Sequence, residues 1–179
     1  MTVIRRTKFS DGYLLEKVRA ISESARDRAD ACRHALNLVH DTFPHYTWTG
    51  LYLKRPRSLF LAFHRGADAI PPEPSEPLEG LLGWAVRSRR PQILPDAGGS
   101  RYEHIEIPIK SEIILPVFLQ GRVVAVLDIC SSKPKGFDRL DQDLLEAVCK
   151  TIAPLVPALE EKPAGTDALE QGRQRRGYG

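Results

Sequence analysis

The chain has 179 residues, 42% hydrophobic and 27% charged, the composition of a globular protein with room for a full core and not of a disordered one. Its formal charge of +3 comes from scattered Lys and Arg, with small clusters only at Arg5–Arg6 and Arg173–Arg176, so nothing in it points to nucleic acid. No apolar run reaches the roughly 20 residues of a membrane helix, the N-terminus has no apolar segment of a secretory signal, and the cysteines at 32, 130 and 149 form neither a disulfide framework nor a metal spacing, which reads as reduced thiols in a cytoplasmic protein.

The segment from Asp11 to about Asp41 has a helical stripe, Leu14, Val18, Ile21, Ala25, Arg28, Cys32, Leu36 and Val39, with one charged lapse at Arg28. The stripe is thin before residue 30, so residues 1–29 read as a helical extension able to pair with a second copy. Pro44 closes the segment. "YTWTGLYLK" alternates as a strand with Trp48, Gly50 and Tyr52 on one face. "SLFLAFHRG" is its expected partner. "AIPPEPSEPLEG" reads as a loop, because four prolines within residues 71–77 donate to neither ladder nor helix. "LLGWAVRSRRP" gives a short helix ended by Pro91, and "QIL" leads into the loop "PDAGGSRYEHIEIPIK". The strands "SEIILPVFL" and "RVVAVLDIC" meet at Gln120–Gly121, a hairpin signal. Phe137 and Asp138 then introduce a helix with Leu140, Leu144, Leu145, Val148, Ile152 and Leu155 at helical spacing, and Pro154 and Pro157 end it near Leu159. Residues 160–179 have no apolar periodicity and read as a disordered tail. The sum is an α+β domain over residues 30–159.

Two polar residues, Asp128 and Cys130, stand in the second strand of the hairpin and share one face with Val124 and Val126. Facing a pocket, Asp128 accepts hydrogen bonds from an amino group; otherwise it caps the amides of the following "CSSK" turn. Cys130 reads more simply as a small buried filler than as a nucleophile, because the neighbouring carboxylate disfavours its thiolate. Glu112 depends on register. A regular two-residue turn sets it opposite Ile129, on the other face from Asp128, whereas one bulge sets it opposite Cys130 and beside Asp128. Pro116, which donates to no ladder, is the expected place for that bulge.

The order "WTGLYL", "LEGLLGWAVRSRRPQIL", "SEIILPVFLQGRVVAVLDI", "FDRLDQDLLEAV" resembles a GAF domain over about residues 30 to 157. The stretches "WTGLYL", "SEIILPV" and "VLDI" are similar to the branch that reduces free methionine-R-sulfoxide. The resemblance implies a central antiparallel sheet with helices packed on one face and a small-ligand pocket on the other. It implies pocket roles for Glu112 and Asp128 as acids and for Trp48 and Tyr52 as walls, with Cys130 where the family carries a second acid; Trp48 and Tyr52 also suit ordinary packing under a helix. The family's cysteine between two glycines corresponds to Leu82 of "GLLG", and its catalytic cysteine to the loop "RYEHIEIPIK", which contains none.

Sulfoxide reduction needs an attacking thiolate and a resolving thiol, and only Cys130 stands near the implied pocket. The resemblance therefore favours a non-enzymatic sensor or binding module for an amine-bearing metabolite. That module would need no cofactor and no metal and would signal through dimerisation or a partner. A divergent methionine-R-sulfoxide reductase working through Cys130, and a pure interaction domain with a collapsed pocket, are the alternatives. His34, His40, His45, His64 and His104 are scattered, without a metal spacing. "GGS" is too short for a phosphate loop. Of the residues the resemblance associates with cyclic nucleotides, only Phe137 and Asp141 are present, and no pocket-loop cysteine is available for a bilin.

Overall fold

The helical stripe expected over Asp11–Asp41 is divided in two. In the computed structural model, which describes residues 8–24, 26–66, 75–78, 80–97 and 109–157, helix α1 spans Lys8–Ser24 and helix α2 spans Arg28–Thr42. The charged lapse at Arg28 is a helix start. Asp27 caps α2 by accepting from the Ala29 and Asp30 amides at 2.9 and 3.0 Å, an interaction worth about 1 kcal/mol. The Arg28 guanidinium donates to the Pro154 carbonyl at 2.6 Å and ties the start of α2 to the chain beyond the last helix.

Strand β1 (Tyr46–Lys54) pairs antiparallel with β2 (Ser58–Gly66). A short β3 (Ser75–Pro77) adds to the outer side of β2, where a loop was expected. The proline argument holds for a central strand and fails at an edge, where one side of the ladder is open and a missing N–H costs little. Helix α3 (Leu81–Ser88), β4 (Gln92–Leu94), β5 (Ser111–Leu119), β6 (Arg122–Ser131) and helix α4 (Arg139–Ile152) complete the order, and a single 3-10 turn follows at Ala153–Leu155. The sheet runs β3-β2-β1-β6-β5-β4.

The faces of this sheet differ. Leu51, Leu53, Ile113, Leu115, Leu127 and Ile129 point to the layer formed by α1, α2 and α4 and build the main core. Leu14 and Val18 of α1 are buried in that core, so the stripe read as an extension for pairing copies is already occupied within the chain. Burial of two such side chains is worth about 2 kcal/mol each. Cys32 and Cys149 lie in the same core as small apolar groups. Burial pushes the Cys32 thiol up to about 12 and raises that of Cys149 further. On the other face, Tyr52, Leu59, Ile114 and Val126 pack under α3 through Leu82 and Ala85. Among the described residues the helices are therefore three on one face and one on the other.

Asp138 and Asp141 form a capping box at the start of α4, with the Asp138 carboxylate accepting from the Asp141 amide at 3.0 Å and the Asp141 carboxylate from the Asp138 amide at 2.8 Å. Leu140, expected in the buried stripe of that helix, is 56% exposed. It occupies the second helical position, before the stripe has turned to the sheet. Residues 98–108 and the C-terminal tail, including the loop with Tyr102, Glu103 and His104, lie outside the described residues.

Candidate functional site: a buried acidic cluster on the sheet

Glu112 and Asp128 come together because of one irregularity. The hairpin turn is Gln120–Gly121, with φ of 48° and 75°, and Leu119 pairs with Arg122 as in a regular two-residue loop. Extended without interruption, that register sets Glu112 against Ile129. The extra residue is Val124 of β6, left unpaired opposite the Val117–Phe118 step of β5 and packed against the main core rather than on the Asp128 face. It shifts the register by one, so Glu112 pairs with Cys130 and Ile114 with Asp128. Pro116 itself pairs with Val126, and the bulge lies just beyond it, past the end of β4. The face of Glu112 is thereby the face of Asp128.

One carboxylate oxygen from each acid and the Cys130 Sγ lie within 4.8 Å of one another. All three residues are buried, Glu112 at 1% exposure and the others at 0%. Two carboxylates at that separation repel by about 3–4 kcal/mol at an effective dielectric of 20. The arrangement therefore favours a cationic group between them. The donor set of two carboxylates and a thiol also lies within the range of metal ligands.

The neighbouring strand supplies the rest of the floor. Trp48 pairs with Cys130, Gly50 with Asp128 and Tyr52 with Val126. A Cβ on Gly50 would sit 2.8 Å from Trp48 Nε1 and 3.0 Å from Tyr52 Cε2, so the two rings close over a bare backbone opposite Asp128. Trp48 stacks on His64 of β2, with ring centroids 5.2 Å apart and planes 13° from parallel. Tyr52 packs under α3 with Leu82, Ala85 and Ile114. Of the two aromatic residues, Tyr52 has the ordinary packing role, while Trp48 lies beside the acids. Leu82, the residue between the glycines of "GLLG", is buried in the same satellite cluster.

The reading of Asp128 as a turn cap does not hold. It sits within β6, and the amides of the following turn have other acceptors: Ser132 N donates to the His45 carbonyl, Lys133 N to Ser131 Oγ, Lys135 N to the Pro95 carbonyl and Gly136 N to Ser111 Oγ. Ser111 Oγ also donates to the Lys133 carbonyl at 2.6 Å. Ser111 and Ser131, paired across β5 and β6 and both fully buried, thus hold the turn that borders the acids. Sequence reasoning missed these serines, as it missed His64. A regular β1–β2 ladder would set Phe63 opposite Gly50; an irregularity between Leu51 and Tyr52 shifts the register and brings His64 there instead.

Comparison with known proteins agrees with this architecture. Residues 25–156 match the sequence profile described as a GAF domain. The chain belongs to that family. It is 27% identical over 143 residues to protein YtsP of Bacillus subtilis, covering 78% of this chain and 86% of YtsP. It is 35% identical over 78 residues to the free methionine-R-sulfoxide reductase of Saccharomyces cerevisiae, 41% of this chain and 42% of that one. The structure of fRMsr of Staphylococcus aureus in its reduced form superposes on this GAF domain with a TM-score of 0.72 at 28% identity, over 87% of this chain and 99% of that one.

Proposed function

We propose that this GAF domain is a non-enzymatic sensor that binds a small metabolite through an ammonium group held between Glu112 and Asp128, with Trp48 as a wall beside them. The observation that carries the reading is the bulge-shifted register, which buries two carboxylates side by side at a repulsive cost that a cation relieves. Support comes from the likeness to the Staphylococcus aureus fRMsr, which has also been solved in complex with its substrate. The chain has no cysteine between Cys32 and Cys130, and Cys32 lies in the main core on the helical side of the sheet. The resolving chemistry of a two-thiol reductase thus lacks a second thiol beside Cys130. Signal output through dimerisation or a protein partner belongs to the same reading.

A thermal-shift screen of amino acids and their oxidised forms tests it. An amine-bearing ligand raises the melting temperature, and Glu112→Gln removes that rise. Asp128→Asn removes it too, because the second carboxylate that holds the ammonium group is gone. Absence of any stabilisation across the screen counts against binding. The second reading, a divergent reductase, is motivated by the Cys130 Sγ within the acidic cluster. It requires thiol-dependent turnover of free methionine-R-sulfoxide that Cys130→Ser abolishes.

A further inference from the structure

We infer that the opposite end of the sheet carries a second binding site, for a small organic anion bearing a phosphate group. A cleft of about 550 Å³ opens there, lined by Lys54 at the end of β1, Arg87 and Arg89 at the end of α3, and Arg122 at the start of β6. Among the described residues the lining contains no acid, and Leu53, Val86, Val124 and Val156 give it apolar wall between the cations. The whole chain has a formal charge of only +3, yet four basic residues line this one concavity. None of the four is ion-paired to a carboxylate among the described residues.

Two of the arginines are held in place. Arg89 donates to the Gly121 carbonyl of the hairpin turn at 2.8 Å and lies over the Phe118 ring at 5.1 Å. The Arg87 guanidinium donates to the Leu78 carbonyl. Pre-ordered guanidinium groups are matched to tetrahedral oxyanions, which accept their paired N–H groups. A carbon skeleton on the ligand suits the apolar walls, and the volume falls within the usual range of small-ligand sites. From Val124, the cleft residue of β6 nearest the acids, to Asp128 is about 13 Å at 3.3 Å per residue. The cleft is therefore separate from the acidic cluster, which has the opposite charge.

The test is a titration of the full chain with phenyl phosphate, followed by amide chemical shifts. The expected result is saturable shifts confined to Val86, Arg87 and Arg122–Val124. In the Lys54→Gln/Arg122→Gln variant binding weakens about tenfold or more, as loss of charge-assisted contacts predicts, while the melting temperature is unchanged. A second variant, Val86→Trp, fills the cleft without altering charge and also blocks binding. Asp128→Asn binds phenyl phosphate as the parent does, which separates this site from the acidic one. Shifts scattered over the other basic residues, or equal binding by the parent and the Lys54→Gln/Arg122→Gln variant, overturn the proposal. So does co-sedimentation with phosphatidic-acid vesicles when phenyl phosphate has no effect, because the anion then comes from a lipid surface.

Discussion

Gly50 shows how one missing side chain shapes the candidate site. It is paired with Asp128 on one side and His64 on the other, and it lies under both Trp48 and Tyr52. Gly50→Ala forces the indole off its stack on His64, because the added carbon would lie 2.8 Å from Trp48 Nε1. The expected cost is about 1–3 kcal/mol, as for other overpacked sites. Urea unfolding reads it directly, and near-ultraviolet circular dichroism reports the moved indole. A variant with parental stability and an unchanged tryptophan signal would show that the ring has room to yield. At this scale strand alternation puts Trp48, Tyr52 and Asp128 on definable faces, whereas the face of Glu112 depended on the hairpin register, and the family resemblance is what singled out all four. His64 and the bare backbone at Gly50 were not legible, because they matter only through pairing between separate strands.

Strands and turns carry the next layer of cause. The β6–α4 turn is fastened by Ser111 Oγ, which accepts from Gly136 N at 3.0 Å and donates to the Lys133 carbonyl. Ser111→Ala, at a fully buried side chain, leaves the Gly136 N–H and the Lys133 carbonyl of a partly exposed turn without their partner. The expected loss is about 1–3 kcal/mol, seen as a lower urea midpoint, together with faster amide exchange at Gly136. Exchange unchanged at Gly136 would mean that solvent already serves the turn. Most elements here were legible from periodicity and caps: β1, β2, β5, β6, α3 and the start of α4 at Asp138. The bulge was legible as a requirement, since only a shifted register unites Glu112 with Asp128, but its expected place at Pro116 was wrong: the extra residue is Val124, on the partner strand β6. The break between α1 and α2 was hidden because the apolar stripe runs through it nearly in phase. The β3 edge was hidden by prolines that an outer strand tolerates.

For the molecule as a whole, the α+β class followed from the order of elements, while the pairing of β1 with β6 depends on contacts far apart in sequence. The helical layer is joined to the sheet by apolar packing and by a polar link, His40 Nδ1 lying 3.0 Å from Oγ1 of the fully buried Thr49. Burial lowers the His40 pKa below its ordinary value of 6.5, opposed by the nearby Asp41 and reinforced by Arg65. The unfolded chain therefore binds a proton at this position more readily than the folded one. Stability contributed by neutral His40 is fully present above the unfolded pKa and is lost as pH falls through 6.5 toward the lower folded value. Urea midpoints measured from pH 7.5 down to pH 5 should decline, and His40→Gln should decline less over the same window. The comparison of slopes isolates His40 from the other histidines, whose contribution is common to both proteins. Parallel slopes would place the titration elsewhere and leave the link between α2 and β1 independent of pH.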